Sequence, residues 1–219
     1  MYTEMIAELA AADVIDAMTK RFAHRSHLIG LTGPASNKAI IGPAMIISFM
    51  PVRSDLMDPR KHSLGPAIYR AIGDADPKGA VLVMASNGHP HTSLGGSTKL
   101  SRLRNLDMAG IVCDGRLRDF EELDKYPFSS YCSGETIRAG GNEILPYLAN
   151  VPVTLESAVT VTPGDIVFAD PTGVAIVPPA EIEEILTSAL EIKKMGEAML
   201  DVIAKEDPQE IITKGSKEL

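Results

Sequence analysis

Two short stretches hold residue types from which chemistry can be built. The first is SNGHPHTSLGGST, Ser86 to Thr98, with two histidines and a Gly-Gly pair. His89 and His91 stand two apart, so on an extended segment both point the same way, as a metal-binding pair needs. No third ligand lies beside them in sequence, and hydrogen bonding to a substrate is an equally open role. Gly95-Gly96-Ser97 can turn tightly enough for the backbone amides of Leu94, Gly95, Gly96 and Ser97 to face a small anion, a carboxylate or a phosphate. The plainer alternative is a tight turn in which Ser97 or Thr98 caps a helix.

The second stretch is CDGRLRDFEE, Cys113 to Glu122, which gathers Asp114, Arg116, Arg118, Asp119, Glu121 and Glu122 directly behind an apolar run. Loops that follow strands in this way are where α/β folds hold ligands. A carboxylate such as Asp119 suits a hard divalent cation, and a guanidinium such as Arg118 can grip a carboxylate with two parallel hydrogen bonds. A solvated turn leading into a helix is the competing reading.

The elements that must position these groups follow from apolar spacing. AMIISF, Ala44 to Phe49, is β-branched and aromatic and reads as a strand behind a Gly-Pro break. Gly65-Pro66 opens a helix whose Ile68, Ala71 and Ile72 share a face. Val81 to Met84 reads as a buried strand, a helix runs from Ser97 or Thr98 to about Asn105, and IVCDG, from Ile111, is the next strand. Together these make a βαβ unit.

Toward the N-terminus, Met5, Leu9, Ile15 and Met18 have loose helical spacing. The second half is punctuated by Pro163-Gly164-Asp165 and Pro171-Thr172-Gly173, as antiparallel hairpins require. From Pro179 a helical pattern returns, with Ile182, Ile185, Leu186, Ala189, Ile192 and Met199 on one apolar face. One α/β domain over residues 1–200 and a charged tail over 201–219 is the expected organisation.

Bulk properties exclude some functions. The 219 residues carry a net charge of −8, with 45% hydrophobic and 23% charged residues. Such an acidic chain lacks the general basic field that holds nucleic acid. Its most apolar stretch, Ala39 to Met50, is broken by Gly42-Pro43 and is shorter than the roughly 20 residues of a membrane span. The acidic N-terminal segment does not resemble a secretory leader, and Cys113 and Cys132 read as reduced core residues, so a cytoplasmic protein is expected.

The quoted motifs resemble those of the RraA-like family along most of the chain. AADVIDAM is similar to its N-terminal helix, IIGPAMII to its Gly-Pro-Ala strand, MAGIVCDGRLRDFEEL to its central signature, and VTPGDIVFADPTGVAIVPPAEIEEIL to its closing hairpins and helix. That family includes class II pyruvate aldolases and the regulators of ribonuclease E. No Gly-x-Gly-x-x-Gly turn of a methyltransferase-like cofactor site accompanies the motifs. The aldolase signature is a Gly, twenty intervening residues, Arg-Asp, two intervening residues and an acid. Arg118, Asp119 and Glu122 satisfy the second half, whereas Ser97, one past Gly96, occupies the glycine's place. SNGHPHT also replaces the familiar Gly-rich, Asp-containing loop.

The resemblance implies a layered α/β sandwich of the swivelling β/β/α type, with the βαβ core, a C-terminal hairpin region and a C-terminal helix. It implies a metal-dependent lyase cleaving a 4-hydroxy-2-oxo acid, with oxaloacetate decarboxylation as a possible companion. Asp119 would hold Mg²⁺ or Mn²⁺, Arg118 would bind the keto acid, Glu122 would orient the water shell, and the amides of Leu94 to Ser97 would take carboxylate oxygens. His89 and His91 would select the substrate's distal portion. A homotrimer or a dimer of trimers would bring Glu191 or Glu197 from a neighbouring copy, with neither nucleic acid nor membrane as partner. Sugar-acid or other hydroxy-acid substrates, and a non-catalytic regulator of a ribonuclease or another protein, remain the alternatives.

Overall fold

Strand β2, Ile40–Pro51, organises the molecule because it changes partners along its length. In this computed structural model, which describes residues 6–207 and 209, residues 40–43 of β2 pair antiparallel with β11, Ile166–Asp170. Residues 44–48 pair parallel with β3, Val81–Ala85, and residues 47–51 pair antiparallel with β8, Ile144–Ala149. Parallel strands β5, Gly110–Cys113, and β7, Ser129–Tyr131, extend the sheet beyond β3. On the other side, β11 leads to β12, Gly173–Val177, and to the short β1, His27–Leu28.

Both faces of this sheet are covered, which is why its strands are almost continuously apolar. Alternation decides the face. Leu82 and Met84 of β3, Ile47 and Phe49 of β2 and Ile111 and Cys113 of β5 pack toward helix α2, Leu64–Ile72. Their neighbours Val83, Ile46 and Val112 pack on the opposite side with Val153, Leu155, Val159 and Val161. Those four belong to a two-stranded antiparallel hairpin of β9, Val153–Leu155, and β10, Val159–Val161. Past β11, the helical side is closed by α1, Ala11–Thr19, and α6, Ile182–Ile203, around Val14, Met18, Phe168, Val177, Ile185 and Leu186. A hairpin, a mixed sheet and a helical layer thus form the expected β/β/α arrangement.

Details depart from the sequence reading where local pattern does not name a partner. Pro163-Gly164-Asp165 is a turn, but it carries the chain from β10 into β11 of the main sheet and closes no hairpin. Pro171-Thr172 does close one, between β11 and β12. The expected helix to Asn105 is two short helices, α3, Ser97–Leu100, and α4, Arg102–Asn105. On α6, Ile192 is half-buried and Met199 is exposed, because the helix outruns the sheet it covers. Met5 and residues 210–219 of the expected tail lie outside the described residues. Among the described residues no helix is long and apolar enough to cross a membrane.

Cys113 and Cys132 are free, fully buried thiols that follow one another's register across β5 and β7. Burial, together with the neighbouring Cys132 sulfur, pushes the Cys113 thiol well above its ordinary value, and the mutual hydrogen bond draws Cys132 down. A thiolate reagent is therefore expected to label neither cysteine in the native protein and both after denaturation. Native labelling at a rate near that of free cysteine would contradict this packing.

Candidate active site

Three loops that follow the carboxyl ends of parallel strands β3, β5 and β7 converge on one cleft, the usual ligand position in such sheets. The cleft has a volume of about 440 Å³. After β3, the chain forms β4, Ser93–Gly95, and enters α3; after β5, it forms β6, Arg116–Leu117. These two strands pair parallel, and the Arg118 amide donates to the Gly95 carbonyl at 3.0 Å. The second sequence stretch is thereby laid against the Gly-Gly turn of the first.

Asp119 follows in the left-handed region, with φ 64° and ψ 47°. A non-glycine residue there is uncommon, and Asp is among the types that tolerate it. The conformation brings its Oδ2 within 3.0 Å of both the Ser97 amide and the Ser97 hydroxyl, which donate to it. No hydrogen-bond partner for Oδ1 occurs among the described residues. Glu135 secures the turn from the other side, its Oε1 accepting from the Phe120 amide at 2.8 Å. Asp119 thus heads the short helix α5, Phe120–Leu123, with one carboxylate oxygen fixed and the other open.

Gly96 must lack a side chain here, since a Cβ would stand 2.8 Å from Asp119 Oδ2. The Ser97 amide is already committed to Asp119, so the anion-facing amides differ from those first expected. Gly96 and Thr98 both line the cleft, and their amides have no partner among the described residues. The Arg118 guanidinium also lines the cleft and makes no ion pair among the described residues. Residues bearing a guanidinium without an ion pair, two amides and a carboxylate oxygen without partners among the described residues therefore line one cleft, and Arg118 and Asp119 also face a neighbouring pocket with Glu135.

The other predicted residues are placed as follows. Leu94 and Gly95 line the cleft with Gly96, while Ser97 is buried behind it. Glu122 is exposed, pairs with Lys125 at 2.9 Å and is absent from the lining. His89 and His91 are also absent from it. The half-buried His89 has Nδ1 3.2 Å from the Asn87 carbonyl, and His91 is exposed. Their loop is pinned to the edge of β2 through Asn87, whose amide nitrogen donates to Ser48 Oγ at 3.0 Å and to the Phe49 carbonyl at 2.5 Å. Glu191 and Glu197 stand exposed on α6. Among the described residues no group of three or more His, Cys, Asp and Glu side chains converges to hold a metal.

Sequence reading missed the walls, which come from β2, the start of α2, residues 139–141 and β8. Residues 139–141 are braced by Glu143, which accepts from Arg138 Nε at 2.8 Å and from Thr92 Oγ1 at 3.1 Å. Arg138 first, and Thr92 after it, hold the Glu143 carboxyl below its ordinary value. A depressed folded value means that the brace is complete above the unfolded value near pH 4.3 and is lost as pH falls through the folded one. Glu143→Gln should lower Tm by no more than a few degrees, because the brace is partly exposed. It should also remove the acid-induced loosening of residues 138–143, read by hydrogen exchange across pH 3 to 6.

Fold and cleft define a β/β/α protein with a cleft at the ends of parallel strands whose lining includes Lys99, Arg118 and Asp119. The chain belongs to the RraA-like family, whose Aldolase/RraA model matches residues 11–176. It is 26% identical over 179 residues to "Protein DlpA" of Legionella pneumophila, covering 81% of this chain and 28% of that one. It is 31% identical over 123 residues to a Halalkalibacterium halodurans protein named "Putative 4-hydroxy-4-methyl-2-oxoglutarate aldolase", covering 56% of this chain and 57% of that one. The chain therefore spans less than two thirds of either curated relative. Among solved structures, Streptomyces coelicolor RraAS2, described as an unusual member of the RNase ES inhibitor RraA protein family, superposes with a TM-score of 0.76. That match is 28% identical and covers 90% of this chain and 94% of the other.

Proposed function

We propose that this protein is a divalent-metal-assisted lyase that cleaves a 4-hydroxy-2-oxo acid to pyruvate and a carbonyl product. The observation that carries the reading is the unpaired Arg118 guanidinium beside an Asp119 carboxylate with one oxygen held by Ser97 and the other open. The similarity to a protein named as an aldolase supports the same chemistry.

In the reaction, the C4 hydroxyl loses its proton and the C3–C4 bond breaks. C4 becomes the carbonyl carbon of the product, and the bond's electron pair leaves with C3 as pyruvate enolate, which then takes a proton at C3. Arg118 grips the substrate carboxylate through its forked donors, and the Gly96 and Thr98 amides take further oxygens. These contacts fix C2 and its oxygen beside Asp119. Asp119, a hard carboxylate oxygen donor, would hold Mg²⁺ or Mn²⁺, and such an ion would supply Lewis-acid stabilisation of the enolate. Ser97 prevents Asp119 from rotating away. Glu122 faces Lys125, so the hydroxyl proton passes to another acceptor; Glu191 or Glu197, exposed on α6, is the candidate if a neighbouring copy brings that helix to the cleft, and a plain surface glutamate otherwise.

The test is pyruvate release from a panel of 4-hydroxy-2-oxo acids and oxaloacetate with Mg²⁺, with Mn²⁺ and with chelator. Release that chelator stops, and either ion restores, is the expected result. The likeness to RraAS2 over 90% of the chain favours a second reading, a regulator that binds a ribonuclease. Absence of release from every substrate, combined with inhibition of an RNase E-type enzyme by the purified protein, would replace the first reading with the second.

A further inference from the structure

A second cavity opens at the carboxyl ends of the same parallel strands, and it shares no lining residue with the cleft. Its volume is about 740 Å³. Ser86 directly after β3, Asp114 after β5 and Ser133 beyond β7 form one side, and Thr154, Glu156 and Ser157 of the β9–β10 hairpin form the other. Asp114 is only 7% exposed, yet it makes no ion pair among the described residues. Its Oδ1 accepts from the Ser86 amide at 2.6 Å and its Oδ2 from the Glu156 amide at 3.1 Å, so the carboxylate ties the hairpin to the end of β3 through neutral donors. Each oxygen keeps a further lone-pair site. A buried charge is ordinarily paired, and this one is not.

Ser86 is an independent observation. The little of it that is exposed, 1%, opens on this cavity, and its hydroxyl has no hydrogen-bond partner among the described residues. Ser133 Oγ donates to the Asp114 carbonyl at 2.9 Å, which leaves its own lone pairs open. Across the cavity, the Ala158 amide donates to the Leu155 carbonyl at 3.0 Å around Glu156 and Ser157, whose φ values are 49° and 54°. That is the two-residue turn in which Asn-Gly is favoured, so the turn by itself gives no reason for a glutamate and a serine.

The lining has acceptors and no cation. Asp114 and Glu156 are its charged side chains, and the partner of Glu156, Arg25 at 3.4 Å, stands outside the lining. An anion would meet two carboxylates here. An apolar ligand would leave Asp114 and Ser86 without partners, and Pro90 is the one apolar side chain to receive it. An ammonium group supplies both the missing charge and three N–H donors. A lone inorganic ion would leave most of the space unfilled, since even a water molecule takes only about 30 Å³.

We propose that this second cavity binds an aliphatic diamine, one ammonium held by Asp114 and Ser86 and the other drawn to Glu156. The site is separate from the cleft, so this inference does not depend on the lyase reading.

The experiment is calorimetry on the full chain with putrescine and with 1,4-butanediol, which has the same length and no charge. It is run at about 150 mM salt, where diffuse attraction of a cation to a chain of net charge −8 is screened. The expected result is saturable one-to-one binding of putrescine, at least about tenfold tighter than the diol. Ser86→Ala should weaken it by about tenfold, because the lost hydroxyl bonds a charged group. Glu156→Asn should weaken it by about threefold, the scale of an exposed ion pair. Asn suits the left-handed turn position, so that variant should melt within about 2 °C of the parent. Equal binding of the diol, heat that never saturates, or parent-like affinity in both variants would each overturn the proposal.

Discussion

Replacing Asp119 by Ala is expected to lower kcat/KM for pyruvate release by about a thousandfold or more, the scale on which removing the centre of charge stabilisation acts. The melting temperature should fall by only a few degrees. Asp119 is exposed and belongs to no apolar cluster, so its folding role is confined to the two Ser97 contacts and to its left-handed backbone. Ala tolerates that backbone less well than Asp, which leaves the Ala variant open to a purely conformational explanation. Asp119→Asn separates the two effects. Asn also occupies the left-handed region readily and its oxygen can still accept from Ser97, yet it has no charge with which to hold a dication. A loss of at least about a hundredfold in the Asn variant, with parent-like melting, assigns the effect to charge. Parent-like turnover of Asp119→Asn would remove Asp119 from the chemistry altogether. Metal binding gives a readout independent of turnover: Mn²⁺ relaxation enhancement in the parent should disappear in both variants.

What could be read from the sequence depended on whether partners lay close together along it. Arg118 and Asp119 are adjacent and directly follow a buried strand, so their joint placement was legible. Leu94, Gly95 and Gly96 were legible for the same reason. The state of Ser97 was not, because its hydroxyl and amide bind a carboxylate 22 residues away, and nothing local distinguishes that from helix capping. Glu122 is a different case. Three residues beyond Asp119 it fits a motif, and on α5 that spacing sets it beside Lys125, a pairing the motif does not announce. The wall built by β2 and β8 was invisible because Phe49 and Pro146 meet only through the pairing of β2 with β8, 97 positions apart. Likewise, the helical pattern of α6 continues past Ala189 with the same spacing, and only the position of the sheet decides which apolar residues it buries.

Gly42→Ala is expected to cost about 3 kcal/mol or more of stability, seen as a fall of roughly 10 °C in Tm. Gly42 lies in β2 just before the strand exchanges β11 for β3 as its neighbour. A Cβ at Gly42 would stand 1.9 Å from the Gly79 carbonyl oxygen and 3.3 Å from the Ala80 Cα. Both are backbone atoms at the entrance to β3, so no side-chain rotation relieves the overlap and the strands themselves would have to separate. Gly79 cannot easily yield, since its φ is +72° and its amide donates to the Asp107 carbonyl at 2.8 Å. Pro43 then supplies no amide hydrogen, and pairing resumes at Ala44, whose amide donates to the Asp165 carbonyl at 2.8 Å. The Gly-Pro-Ala segment is therefore a junction between the antiparallel and parallel halves of the sheet. Gly141→Ala is the control, because a Cβ there meets nothing within 4 Å, and its Tm should stay within about 2 °C of the parent. If Gly42→Ala melted with that control, the close approach of β2 to the chain entering β3 would be refuted, and with it the junction that sets Phe49 and β8 against the cleft.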